Sequence, residues 1–156
     1  MLKLIDNLQE NGKCYCIDFL PKQMSSTRFF EIEDFFIGTY LSEFSKKIVR
    51  IVVKLLGYYS TSICITEFPS DILDDIKIKY PIGKDISDRT IEEIAFIVSH
   101  VIIEDVSSVQ ILLKDTNSLI SVNGGFSVNV YNPSIEQLQL ITMLVEQENL
   151  FLRLSE

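Results

Sequence analysis

Three cysteines, one histidine and a few adjacent acid pairs are the side chains here with chemistry to offer. Cys14 and Cys16 stand two apart in a strand-like run, so their thiols share a face. A zinc-type site needs four soft or imidazole ligands, and one distant histidine cannot complete such a set. With Cys64 they are too few for a disulfide framework. All three read as small buried hydrophobes suited to a reducing compartment. His100 lies one helical turn before Glu104, where it could serve as a general base. A Ser–His–acid or Cys–His site would have to be assembled by the fold from distant residues.

The carboxylate pairs are Asp74-Asp75, Glu92-Glu93 and Glu104-Asp105. Glycosidase-type chemistry needs two carboxyls at a set distance across a cleft, which adjacency in sequence does not provide. Asp88, Glu92 and Glu93 stand where a helix begins, and acids there stabilise the helix dipole. Asn123-Gly124-Gly125 lacks the spacing of a phosphate-binding loop and has no helix directly after it, so it reads as a hairpin turn. Lys46, Lys47, Arg50 and Lys54 form a basic patch followed by Tyr58 and Tyr59. Four charges are a weak nucleic-acid footprint, and the spacing fits the polar face of a core helix. No catalytic residue, cofactor or metal is assigned.

The elements that must position these residues follow from periodicity. Leu2, Leu4, Ile5 and Leu8 give a short helix stopped at Asn11-Gly12. Lys13–Leu20 alternates as a strand, with Tyr15, Ile17 and Phe19 opposite Cys14, Cys16 and Asp18, and Pro21 ends it. From Phe29 to Tyr58 the spacing predicts one long helix lying across a sheet. Tyr59–Phe68 is a strand and Ser70–Ile86 an exposed loop. Thr90-Ile-Glu-Glu93 is a capping box opening a second long helix. Val109–Lys114, Ser118–Val122 and Phe126–Tyr131 form an antiparallel meander. Ser134, with Gln137 three residues on, caps a last helix, and Leu150–Leu154 is a final strand. The order αβαβαβββαβ predicts one α+β domain over residues 1–156. It would have two layers, with helices packed on one face of a mostly antiparallel or mixed sheet.

Composition narrows the partner. The chain has 156 residues, 47% of them hydrophobic, and carries 14 Lys+Arg against 22 Asp+Glu for a net charge of −8. Residues 1–80 are close to neutral, with 10 basic and 11 acidic side chains, whereas residues 81–156 hold 4 and 11. That imbalance favours a basic partner and disfavours nucleic acid or an anionic membrane. No secretory leader pattern opens the chain. The oily run Ile48–Leu56 is broken by Arg50 and Lys54 and is far short of a membrane span. A soluble, cytoplasmic protein is expected.

A resemblance enters at the C-terminal end. Gly125-Phe-Ser-Val-Asn-Val-Tyr131 is a strand, Asn132-Pro-Ser-Ile-Glu-Gln-Leu138 starts a capped helix, and Glu148-Asn-Leu-Phe-Leu-Arg153 closes the pattern. This arrangement resembles small immunity proteins of bacterial polymorphic and contact-dependent toxin systems. Many of those relatives would have Gly where Asn149 stands. The resemblance implies a non-enzymatic protein that binds a cognate toxin domain, often a nuclease, and blocks its active site. A nuclease must hold phosphates, so its active region is basic, and an acidic inhibitor would be steered onto it. The expected contact region is the acidic set Asp71, Asp74, Asp75, Asp85, Asp88 and Glu92. Two alternatives stand beside this: an adaptor that homodimerises through a strand edge at Leu150–Leu154, and a small hydrolase with a fold-assembled site.

Overall fold

The computed structural model describes residues 1–66 and 79–155. In chain order its elements are α1 (Leu2–Asn11), β1 (Cys14–Asp18), α2 (Phe29–Thr39), α3 (Leu41–Tyr58), β2 (Thr61–Ile65) and α4 (Ile91–Glu104). There follow β3 (Val109–Leu113), β4 (Ser118–Val122), β5 (Val128–Tyr131), α5 (Ile135–Gln147) and β6 (Phe151–Leu154). The fold is α+β, with helices packed against a six-stranded antiparallel sheet ordered β2-β3-β4-β5-β1-β6. The expected meander is β3-β4-β5.

Strand alternation sorts the side chains onto two unlike faces. On one face the register aligns Ile65, Val109, Val122, Val128 and Ile17 in a row across five strands. Ile63, Ile111, Ile120, Val130 and Tyr15 form a second row. Side chains directly opposite one another on neighbouring strands interact and are the unit of sheet stabilisation. The main core forms on this face from α3 (Phe44, Ile48, Ile51, Leu55), α4 (Ile94, Val98, Val101, Ile102) and α5 (Ile141, Leu144, Val145). Phe44, Ile48 and Ile102 are fully enclosed, and truncating any one to Ala costs about 3 kcal/mol or more.

The other face is more polar, carrying Cys64, Gln110, Ser121, Asn129, Cys16 and Arg153 in register. Helix α1 lies on this side, packing Ile5 and Leu8 against Cys64, Leu112 and Leu119. Gln9 donates from Nε2 to Oε1 of the buried Gln110 at 3.4 Å. Helices thus cover both faces, with α3, α4 and α5 forming the expected layer and α1 standing opposite.

The continuous helix expected from Phe29 to Tyr58 is two helices meeting at Tyr40, whose backbone (φ −130°, ψ −20°) has left the helical region. The cause is local and tertiary together. Gly38 is a poor helix former. The Thr39 hydroxyl donates back to the Phe35 carbonyl at 2.8 Å, a contact that bends helices. The break lets Phe36, Tyr40 and Phe44 gather around Phe19, with Phe126 completing the aromatic corner at 4.6 Å from the Phe19 ring.

Both capping boxes form. Thr90 and Glu93 exchange bonds at the start of α4, and Ser134 and Gln137 do so at the start of α5. The Asn123-Gly124-Gly125 turn joins β4 to β5 and docks on the end of α4 through Gly125 N–H to Ile102 C=O at 3.0 Å. Gly124 is required by close approach: a Cβ there would lie 2.7 Å from the Asp105 Cα.

Candidate functional site

The two edges of the sheet are treated differently. At β2 the chain covers its own edge: Gly83 N–H donates to the Ile65 carbonyl and Ile86 N–H to the Ile63 carbonyl, each at 2.8 Å. Asp85 closes the clasp, with Oδ1 accepting from Ile63 N–H at 3.1 Å and from Ser87 N–H at 2.9 Å. Burial opposes ionisation of this carboxyl. It is outweighed by hydrogen bonds from the Ser87 and Ser62 side chains and from the Ser87 and Ile63 backbones, which hold the pKa at about 2. Asp85 is exposed, yet its carboxylate is committed to hydrogen bonds within the chain.

The rest of the expected acidic set divides plainly. Asp88 and Glu92 are exposed, just before and within the first turn of α4. Asp71, Asp74 and Asp75 lie outside the described residues. Glu93 is held by the capping box and lies 3.8 Å from Arg89.

Three of the four residues of the basic patch are engaged internally, while Lys46 is exposed. Arg50 forks onto Glu148, with Nε 3.0 Å from both carboxylate oxygens and Nη2 2.7 Å from one. Lys47 donates to the Glu148 carbonyl at 2.7 Å, and Lys54 lies 3.9 Å from the carboxylate. The Glu148 side chain is only 10% exposed. Hydrogen bonding from Arg50, above all, holds its pKa below the ordinary glutamate range despite burial. At the far end of the same motif, Arg153 pairs with Asp18 across β6 and β1. The charged ends of the Glu148–Arg153 motif are thus latches, one to α3 and one to β1. Asn149 between them has φ 54°, the left-handed region that Asn and Gly adopt at least cost.

Beside the Arg153–Asp18 pair lies a cleft of about 920 Å³, between the outer face of β1 and β6 and the segment from Leu20 to Ser25, with Phe29 at its rim. Cys16 opens into it. Burial, above all, pushes the Cys16 thiol up, away from the thiolate form a nucleophile needs. Burial likewise pushes Cys64 to about 11. His100 is not among the cleft's lining residues. It sits half-buried on α4, stacked on Phe96 with ring centroids 5.6 Å apart and planes at 18°. Among the described residues, no three His, Cys, Asp or Glu side chains gather as a metal ion would require. Among them, too, no helix is long and apolar enough to cross a membrane.

The feature missed from sequence is α2. The helix reads Phe-Phe-Glu-Ile-Glu-Asp-Phe-Phe-Ile, yet none of its residues is buried. Phe30 is 76% exposed, Phe35 64% and Ile37 45%. The signal was present: apolar residues at 29, 30, 32, 35, 36 and 37 spread over more than half of the helix circumference rather than along one stripe, so one core face cannot hold them. Compared with protein-family models, curated proteins and solved structures, the chain matches none of them.

Proposed function

We propose that this protein is a non-enzymatic immunity protein that binds and neutralises a basic toxin domain. The observation that carries the reading is how the charge is disposed. Arg50, Lys54 and Arg153 are engaged by the protein's own carboxylates, as are Arg28 and Arg89. All four arginines and Lys54 are thus paired at close range, five of the thirteen Lys and Arg among the described residues. A net −8 remains to act on the surroundings. Asp88 and Glu92 contribute exposed carboxylates to that field, while Asp85 fixes the segment that precedes them. The C-terminal resemblance to immunity proteins points the same way.

The test is co-expression with the toxin domain encoded beside this chain. The expected result is a purified complex and survival of cells otherwise killed. No complex together with no protection refutes the reading.

A second reading, a homodimerising adaptor, is favoured by the other sheet edge. Strand β6 is outermost, and Phe151 and Leu154 on it are 40% and 53% exposed. Sedimentation of the protein alone separates the two, since a stable dimer supports the adaptor and a monomer the immunity protein.

A further inference from the structure

We propose that the outer surface of α2 is the anchor by which the protein holds its basic partner, with Phe30, Phe35 and Ile37 as the side chains the partner buries. This rests on the functional reading above and assigns the contact to a surface outside its acidic set. Clustered large apolar side chains left in water mark interaction sites, and aromatics are enriched at interfaces. Here three sit on the eleven residues of one helix that turns Phe36 toward the aromatic corner and has no fully buried residue.

Charge says what kind of partner fits. Glu31, Glu33 and Asp34 are interleaved with the apolar residues. Arg28 is 2.8 Å from Glu31 and is occupied there. Among the described residues, Glu33 and Asp34 have no cation at ion-pair distance. A surface of exposed aromatics set among uncompensated carboxylates is complementary to one with apolar pockets rimmed by Lys and Arg. A second copy of this chain fits poorly, because a two-fold contact through α2 would set the same acids against one another. An anionic membrane is repelled for the same reason.

The neighbouring concavity supports the assignment. Phe29 lines the cleft beside β6 and packs edge-on against Phe30, with centroids 5.6 Å apart and planes at 72°. Projecting knob and open cleft are therefore adjacent. The cleft wall includes Leu20, Met24 and Leu154, which can receive an apolar side chain.

The experiment uses the full chain and, as probe, a catalytically dead form of the toxin domain encoded beside it, with binding followed in real time. Phe30→Ser and Phe35→Ser are each expected to weaken binding by roughly thirtyfold. Ile135→Ser and Met143→Ser alter residues equally exposed on α5 (78% and 58%) and serve as controls expected to change it less than about threefold. Thermal melts confirm that all four variants fold. If wild type binds but the two Phe variants bind within threefold of it, the anchor is elsewhere and the functional reading survives. If wild type does not bind the probe, both fall together. A wild-type dimer that Phe30→Ser converts to monomer would give the surface to a second copy and overturn the proposal.

Discussion

Replacing Glu148 by Gln keeps the size of the side chain and removes its charge. In the native protein this carboxylate accepts a two-pronged contact from Arg50, with three N–O distances between 2.7 and 3.0 Å, and it is 10% exposed. Removing one partner of a buried ion pair costs about 3–5 kcal/mol. Arg50, however, is 47% exposed and retains a 3.7 Å contact with Glu43, so part of its charge is rehydrated or shared. The expected loss is therefore nearer 2 kcal/mol, the range of a hydrogen bond to a charged group. For a chain of this length that lowers the melting temperature by roughly 4–8 °C. Circular dichroism melts and urea titrations at pH 7 measure it, and the urea slope should not change.

The pH dependence supplies the sharper check. The folded carboxyl titrates below its unfolded value, so its stabilisation is complete above the unfolded pKa, near pH 4. It is lost as pH falls through the lower folded value. Wild type and Glu148→Gln should therefore differ fully at pH 7 and converge in acid. A melting difference under about 1 °C at pH 7, or one that persists undiminished in acid, would refute the reasoning.

Two further outcomes test the same logic elsewhere. Asp85→Asn should cost about 1 kcal/mol at neutral pH, because solvent screens an exposed group and discounts the full effect of a pKa held at about 2. That difference should fade between roughly pH 4 and pH 2 in acid-unfolding curves, and a gap of constant size would contradict the clasp. Gly124→Ala should destabilise by about 1–3 kcal/mol, because its Cβ would meet the Asp105 backbone. Urea denaturation that shows no loss would mean the turn and the end of α4 do not pack as described.

The sheet and its capped helices were legible because their signals are local. Alternation fixed which residues of β1 face the core, and two capping boxes marked the starts of α4 and α5. What escaped was decided by contacts distant in sequence. The aromatic corner that ends α2 at Tyr40 needs Phe19 and Phe126, contributed by other parts of the chain. The basic patch of α3 looked like a solvated face, and Glu148, 98 residues from Arg50, turned it into a clamp. Asp85 illustrates the same limit for the candidate site. Composition counts it as surface acid, while its hydrogen bonds to β2 and Ser87 make it part of the frame. An inventory of acidic residues cannot separate charges a fold consumes from charges it leaves for a partner.

That separation has a kinetic signature. Exposed carboxylates act at a distance and so set how fast a basic partner arrives, while buried aromatics act only in contact and so set how long it stays. If the exposed Asp34 and the half-buried Glu33 steer and Phe30 anchors, Glu33→Gln with Asp34→Asn should slow association and flatten its dependence on salt, leaving dissociation nearly unchanged. Phe30→Ser should do the reverse, raising the dissociation rate by most of its thirtyfold effect with little change in association. Crossed effects would undo the division of labour: a slower arrival for the Phe30 variant, or a faster departure alone for the acid variant. They would mean that carboxylates and rings on α2 enter the interface together, as a single desolvated contact.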